Sequence, residues 1–333
     1  MQNWRRLLLS AYVAGTNPYR RWAARQAADE GRAPIVVLFY HRVADDHPNP
    51  WTISTAVFSW QVEWMTRHVD IISLEEAQRR LREQDSRRPA ACITFDDGYA
   101  DNCRHALPLL VKERIPFTYF VSTEYVLKRL PFPHDAERGE PLEPNTVEQL
   151  RALAAAGVEI GAHTRTHPDL GRIHDPQRLR EEVIASADTL AEMVGRPMRY
   201  FAFPFGQREN LNREVFRMAR AHGLLGVCSA YGGYNMPGDD AFHLQRVHAD
   251  PEPARFVNWM TIDPRKRRLP RFDAAADAAP KNEAARDSAG MCADQGRIAH
   301  EQAVCGARDA AAERPQDRET ACDESPAVVG SNP

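Results

Sequence analysis

The sequence predicts an α/β fold built on a largely parallel sheet with helices outside it. Between about residues 34 and 262, short apolar runs rich in β-branched and aromatic residues alternate with segments of helical periodicity. Such alternation favours parallel strands, because each connecting helix packs back onto the sheet. The 43% hydrophobic and 27% charged residues are typical of a globular chain. If the sheet closes into a barrel, functional residues are expected at the carboxyl ends of its strands.

Seven runs are predicted to be strands, and six segments between them are predicted to be helices. The strands are Ile35–Tyr40, Ala91–Phe95, Phe117–Val121, Val158–Gly161, Tyr200–Phe205, Gly226–Ala230 and Leu244–Val247. The helices are Phe58–Val69, Leu74–Arg82, Asn102–Lys112, one that has Asn145 as its N-cap and stops at Gly157, Asp175–Val194 and Asn210–His222.

Composition divides the chain into a basic extension at 1–33, an ordered domain at 34–262 and a low-complexity tail at 263–333. The extension has five Arg and no acidic residue through Ala28. It indicates either a helix packed on the domain, favoured because the apolar face is short, or a helix on an anionic membrane surface. The tail has only seven large apolar residues, so we expect it to be disordered.

Charge, cysteine spacing and hydropathy exclude several classes of protein. The 43 Lys and Arg against 46 Asp and Glu do not provide the basic surface on which nucleic-acid binding depends. The six cysteines include no CxxC pair, which argues against a thiolate zinc site. No run reaches the roughly 18 apolar residues that span a bilayer, and no convincing signal-cleavage site is visible. The expected location is the cytoplasm or the inner face of the membrane, with export as the alternative.

Two adjacent carboxylates, Asp96 and Asp97, end the second predicted strand and are followed by Gly98. Like charges so close together would raise the pKa of one carboxyl unless a cation lies beside them. A metal ion meets that need, with one carboxylate as ligand and the other as base. The alternative is a helix N-cap, but a cap explains only one of the two acidic residues.

His163 and His167 follow the fourth predicted strand, four residues apart. Two His at this spacing can bind one metal ion, and with one Asp they form a three-ligand site with open positions, which is typical of catalytic centres. The same spacing also occurs on solvated helices. The His pair therefore indicates a metal site only in combination with the two Asp at an equivalent strand end. Asp169 is either an acceptor that orients one imidazole or a turn residue.

Two further strand ends carry candidate residues. His41 ends the first predicted strand and is a candidate general acid, with a hydrogen-bonded rim residue as the alternative. The run Phe203–Gly206 ends another strand with a Pro-x-Gly turn, which can aim a backbone N–H at a developing oxyanion. A purely structural turn explains that run equally well.

Together these clusters resemble the polysaccharide deacetylases of the NodB homology family, carbohydrate esterase family 4, over roughly residues 34–262. TFDDGY at Thr94–Tyr99 and HTxxH at His163–His167 match as a pair. FPFG at Phe203–Gly206 is similar to the PPYG-type turn of the family. VLFYHRV at Val37–Val43 resembles the circularly permuted branch that includes poly-N-acetylglucosamine deacetylases, so His41 is our choice for the late His of other members.

The resemblance implies a distorted (β/α) barrel of about seven strands and a divalent ion, Zn²⁺ first, with Co²⁺, Ni²⁺ or Mn²⁺ as alternatives. It implies that Asp96 takes a proton from metal-activated water, that the Phe205 N–H stabilises the oxyanion and that His41 protonates the leaving amine. The implied reaction removes N-acetyl groups from a sugar, glycan or glycolipid. The implied metal ligands are one carboxylate and two imidazoles, those of Asp97, His163 and His167.

The chain departs from the family pattern at Ala202, where many members have an Arg that orients the catalytic Asp. Arg165 and Arg246 are the candidates to replace it, and His248 is a lower-ranked rival of His41 as the acid. The long segment Glu124–Pro144 is expected to lie over the site and to gate or select substrate. Candidate substrate-binding residues are Tyr99, Pro204 and Tyr231.

Two other functions compete with deacetylation. A hydrolase of the same fold could open a cyclic amide or imide, because pocket shape decides between these substrates. An inactive barrel that only binds glycan is disfavoured, since every expected ligand, base and acid is present. The expected partner is an N-acetylated glycan or glycolipid and not a nucleic acid, and the sequence makes no prediction of oligomeric state.

Overall fold

Seven parallel strands close into a barrel in the computed structural model, which describes residues 2–267 and 269–274. In chain order the strands are β1 Ile35–Tyr40, β2 Arg42–Val43, β3 Thr52–Ile53, β4 Asp70–Ile71, β5 Ala90–Phe95, β6 Phe117–Val121, β7 Glu159–Ala162, β8 Tyr200–Ala202, β9 Gly226–Ser229 and β10 His243–His248. The barrel closes because β1 pairs with both β5 and β10, and β6 to β9 complete the circle between them. The strand β4 adds to the start of β5, and β2 pairs with β3 in a separate small sheet.

Helices follow most of the barrel strands and cover the outside. They are α1 Gln2–Asp29, α2 Thr55–His68, α3 Leu74–Glu83, α4 Ala106–Lys112, α5 Thr123–Lys128, α6 Pro133–Ala136, α7 Val147–Ala155, α8 Pro176–Arg180, α9 Ser186–Val194, α10 Arg213–His222 and α11 Pro253–Met260. A π-helical turn, Glu181–Ala185, joins α8 to α9. Across the described residues, no helix is both long and apolar enough to traverse a bilayer.

The predicted fold class and all seven predicted barrel strands are confirmed. The predicted strand Tyr200–Phe205 ends early, at Ala202, because the chain turns at Phe205, which has a positive φ. The predicted N-cap Asn145 was wrong by one residue. Thr146 caps α7 in a capping box with Gln149, while the Asn145 side chain is buried and accepts a hydrogen bond from the Tyr119 hydroxyl.

Side chains alternate between the barrel lumen and the layer beneath the helices, as the two-residue period of a strand requires. The outer layer is the larger apolar core and includes Val36, Leu38 and Tyr40 of β1. The lumen cluster contains small residues beside a few large ones: Ile35, Val37, Cys92, Phe120, Ala202, Cys228 and Leu244. Gly161 faces the Phe120 ring so closely that a Cβ there would lie 2.5 Å from it. The lumen therefore has room for few large groups.

The first helix, α1, packs on α11. The Tyr12 hydroxyl donates to Asp263 Oδ1 over 2.9 Å, and Arg20 donates to the carbonyl and side-chain oxygens of Asn258. Beyond α11 the described chain still packs on the barrel, where the Phe272 and Phe216 rings stack at 5.5 Å. The boundaries 1–33, 34–262 and 263–333 stay predictions, and most of the predicted tail, 275–333, lies outside the described residues.

Removing a core side chain on β1 tests the barrel. We expect Leu38→Ala to lower the free energy of unfolding by about 2–5 kcal/mol, because Leu38 is fully buried on the strand that closes the circle. Leu127→Ala, on the surface of α5, is the matched control and should change it by about 0.5 kcal/mol or less. Urea unfolding followed by circular dichroism measures both, and equal losses would contradict the arrangement.

Candidate metal centre and active site

The carboxyl ends of β5 and β7 bring Asp97, His163 and His167 together. Asp97 Oδ1 lies 3.4 Å from His163 Nε2 and 3.3 Å from His167 Nε2. The three candidate ligand atoms all lie within 4.8 Å of one another. The two His sit in a tight loop rather than on a helix, since His167 has a φ of 58°. The structure therefore gathers the three predicted metal ligands at one point.

The residues at this point fit a divalent cation. His163 Nδ1 is 2.8 Å from the Ala202 carbonyl oxygen, which can only accept, so Nδ1 carries a hydrogen and the neutral imidazole presents its Nε2 lone pair to Asp97. Asp97 Oδ1 is buried and has no hydrogen-bond partner within the described chain. The separations of 3.4 and 3.3 Å match the roughly 3.3–3.4 Å between neighbouring ligands of a tetrahedral ion whose bonds are about 2.0–2.1 Å long.

The second carboxylate, Asp96, is held by Arg246 in the barrel lumen. Arg246 donates to both carboxylate oxygens, over 2.6 and 2.8 Å, and also to the Thr94 hydroxyl. Burial alone would raise the pKa of Asp96, but the adjacent guanidinium, together with His163 and His41, outweighs burial and holds the pKa below its usual value. Arg246 thus holds Asp96 in the way that was expected of an Arg at position 202. Arg165, the other candidate, is exposed and pairs with Glu124.

His41 lies between the aromatic rings of Phe39 and Trp51, at 5.6 and 5.3 Å. Its backbone is fixed by Asn102, whose side chain accepts from the Val43 N–H and donates to the His41 carbonyl. His41 Nδ1 is buried and has no partner among the described residues. Packing thus orients the side chain, and its Nδ1 is available for a hydrogen bond or a proton transfer.

The two candidate acids differ in their electrostatic surroundings. Burial lowers the pKa of His41, while the carboxylates of Asp97 and Asp96 partly oppose that shift. Burial and the nearby His41 lower the pKa of His248 to about 4, and the carboxylate acting on it is Asp250. The charges of the two site carboxylates thus favour a protonated His41, which supports His41 over His248 as the acid.

The turn after β8 presents its backbone beside the ligands. Phe205 has a φ of 59°, and its ring is 5.1 Å from that of His167. The next residue must be Gly206, because its φ is 62° and a Cβ there would lie 2.6 Å from the Ala230 nitrogen. The Phe205 N–H donates no hydrogen bond within the part of the chain that the structure describes. This geometry is compatible with the predicted oxyanion donor.

The predicted substrate-binding residues lie around this site in different settings. Pro204 is buried in the turn before Phe205. The Tyr99 hydroxyl donates to Asp135 over 2.7 Å, and the Tyr231 hydroxyl accepts from the Phe272 N–H over 3.0 Å. Contact of either hydroxyl with a substrate would compete with these bonds, and the three roles stay predictions.

The segment Glu124–Pro144 forms a wall of the site. The buried Phe132 ring is 5.7 Å from that of His167. Tyr99 and Asn49 both donate to Asp135, which ties the segment to the barrel. A gating function stays a prediction. Asp169, by contrast, caps a 3₁₀ turn by accepting from the Gly171 N–H, so it is a turn residue here.

Sequence reasoning missed Glu182, which holds the loop between the two His. Its carboxylate accepts hydrogen bonds from the Arg165 N–H, the Thr166 N–H and the Thr166 hydroxyl, over 3.1, 2.9 and 2.6 Å. Glu182 is buried in the π-helical turn, a feature often found at functional sites. One sequence signal could have identified Glu182. It is an acidic residue three positions after Leu179, and this spacing places it on the apolar face of the predicted helix.

The chain is similar in sequence to known polysaccharide deacetylases. A family model described as polysaccharide deacetylase matches residues 83–227. The chain is 26% identical to YxkH of Bacillus subtilis (strain 168), a protein provisionally named a polysaccharide deacetylase. The match extends over 226 residues, which are 67% of this chain and 74% of that protein. A chitooligosaccharide deacetylase of Bradyrhizobium sp. (strain ANU 289) is 30% identical over 34% of this chain, which spans 45% of that relative.

Solved structures have the same fold. IcaB from Ammonifex degensii is 27% identical, with a TM-score of 0.57 over 69% of this chain and 97% of that one. The deacetylase PplD of Streptococcus pyogenes, solved with acetate, is 22% identical, with a TM-score of 0.57 over 69% of this chain and 99% of that one. The likeness to PplD concerns the fold alone.

Substituting Glu182 tests whether it positions the metal ligands. We expect Glu182→Ala to weaken Zn²⁺ binding by the apo-protein about tenfold or more, since groups that orient metal ligands typically contribute that much. Glu182→Gln, which keeps one acceptor oxygen, should lie between it and wild type. Competition with a chromophoric chelator measures the affinity. Glu181→Ala, on the exposed side of the same turn, is the control, and equal affinities in all four proteins would contradict the role.

Proposed function

We propose that the chain, which is similar to polysaccharide deacetylases, is a hydrolase that removes N-acetyl groups from a glycan or glycolipid with the aid of a divalent metal ion. The observation that carries the proposal is the convergence of Asp97, His163 and His167 beside an Asp96 that Arg246 keeps charged. Two imidazoles and one carboxylate make a three-ligand set that suits Zn²⁺, with Co²⁺, Ni²⁺ and Mn²⁺ as alternatives.

Asp97, His163 and His167 would hold the ion, which when bound supplies positive charge that polarises the acetamide carbonyl and acidifies water. Asp96 acts as the general base, because Arg246 fixes its orientation and lowers its pKa, so that it is deprotonated near neutral pH. It takes the proton of the attacking water.

The remaining groups act on the amide itself. The Phe205 N–H donates to the carbonyl oxygen as negative charge develops there. His41 gives a proton to the departing nitrogen, and its lowered pKa makes it a strong donor once protonated. The carbon–nitrogen bond breaks, and acetate and a free amino sugar leave. Water supplies the oxygen of the acetate. The proton that Asp96 takes from water balances the proton that His41 gives to the amine, and exchange with solvent restores both groups.

The location on the cytoplasmic side, at the inner face of the membrane, stays a proposal, with a lipid-linked or precursor glycan as the matching substrate. Cell fractionation tests it directly. Recovery in the periplasm of a form shortened at its N-terminus would contradict it.

Metal content and acetate release are best measured on one purified sample, wild type beside Asp97→Ala. We expect about one divalent ion per chain and acetate release from N-acetylglucosamine oligomers in the wild type, and loss of both in the variant. Leu127→Ala serves as the control for handling. Bound metal with hydrolysis of a small cyclic amide instead of acetate release would favour the alternative substrate, and no bound metal would refute the site.

Substituting Arg246 tests whether it controls the charge of Asp96. Without the guanidinium, the pKa of Asp96 rises, because burial is then opposed only by the weaker influence of His163 and His41. A base must be deprotonated, so the acid limb of the kcat/KM profile should move to higher pH in Arg246→Gln, and the loss of rate should be greater at neutral than at alkaline pH. Arg246→Lys keeps the charge and should shift the limb less.

Circular dichroism at each pH shows whether the Arg246 variants remain folded. An acid limb unchanged in a folded Arg246→Gln variant would contradict the control of the catalytic base by Arg246.

A further inference from the structure

The helix α1 has an apolar stripe on the side that faces away from the barrel. Trp4 and Trp22 are separated by about five helical turns and so lie on the same face, and the other large apolar residues of the stripe fall between them. The side chains are between 51% and 71% exposed. Five of the ten exposed large hydrophobic residues of the described chain lie here: Trp4, Leu7, Leu8, Tyr19 and Trp22. A patch this concentrated indicates an interaction surface.

Packing on the opposite face fixes the direction of the stripe. Arg20 is buried and donates to Asn258 and Thr261, and Ala27 is buried as well. Tyr12 reaches Asp263 across the same contact. Because α1 is anchored by these side chains, it cannot turn its apolar residues inward without breaking buried hydrogen bonds. The stripe is therefore a permanent feature of the surface.

Apart from Asp29 at its C-terminal end, the charge on this helix is positive. Its five Arg are accompanied by no acidic residue through Ala28. Arg6 pairs with Glu252, the N-cap of α11, while Arg21 and Arg25 are exposed beside the stripe. Trp and Tyr at its ends and Arg along its flank are the residues that favour the boundary between lipid headgroups and acyl chains.

We propose that α1 binds flat against an anionic phospholipid bilayer, with the stripe inserted at the level of the headgroups. A second copy of the chain is the less suitable occupant, because two stripes face to face would bring two sets of Arg together, whereas anionic headgroups neutralise them. The inference concerns a surface outside the metal centre and does not depend on the proposed deacetylation.

Flotation of the full chain with lipid vesicles tests the proposal. We expect wild type to float with vesicles of phosphatidylcholine containing phosphatidylglycerol, and to float much less with phosphatidylcholine alone or at high salt. Leu8→Glu should lower the partition coefficient about tenfold or more, since it places a charge in the stripe. Ser10→Glu makes the same change of charge about 200° around the helix and should keep most of the binding.

Acetate release from a water-dissolved oligomer should be equal in wild type and both variants, which separates this proposal from the proposed function. The proposal is refuted if wild type does not bind anionic vesicles, or if Leu8→Glu and Ser10→Glu lose binding equally. It is also refuted if sedimentation velocity shows that Leu8→Glu converts a dimer to a monomer while vesicle binding is absent, since the stripe would then bind a second copy.

Discussion

Two adjacent carboxylates, buried at the end of one strand, impose the charge balance on which the rest of the site depends. Asp96 and Asp97 are each 3% exposed, so neither can rely on water to stabilise its charge. Arg246 compensates the charge of Asp96 through a bidentate ion pair. In its neutral form His163 donates Nδ1–H to the Ala202 carbonyl and offers Asp97 a lone pair, which leaves the second carboxylate for a cation to compensate. The two neighbouring carboxylates thus have different electrostatic partners, as the proposed roles of base and metal ligand require.

Left-handed backbone is what lets neighbouring residues aim at one point. Asp97, Thr164, His167 and Phe205 all have positive φ, at 74°, 65°, 58° and 59°. Each such conformation costs about 1–3 kcal/mol in a residue with a side chain, so the surrounding structure must enforce it. Specific bonds do so here: the Thr164 hydroxyl accepts from the His167 N–H, and Glu182 accepts three hydrogen bonds from the residues between them. The conformation of the loop between the two His therefore depends on the π-helical turn that contains Glu182.

The sequence predicted the strands and the residues at their ends because both leave local signals. Apolar runs, followed at once by Asp96 and Asp97 or by His163, are visible without any knowledge of packing. The groups that support them were harder to find, since their partners are distant in the chain. Arg246 is 150 positions from Asp96 in the chain. The sequence therefore identified it only as one of two candidates, with Arg165 as the other. Glu182 gave a weak signal, a buried acid on a helix, whose meaning depends on a π-helical turn that periodicity does not reveal.

The position of Arg246 also explains why Ala202 can be small. The lumen of a seven-stranded barrel is narrow, and here the guanidinium lies between the rings of Phe39 and Phe120, at 5.1 and 5.4 Å. Ala202 and Cys228 border the same space, and Gly161 leaves room for Phe120. A second guanidinium at 202 would overfill the lumen and place two cations against one carboxylate. In this chain Arg246 on β10 therefore holds Asp96, and the space that its guanidinium fills leaves room only for a small residue at position 202 on β8.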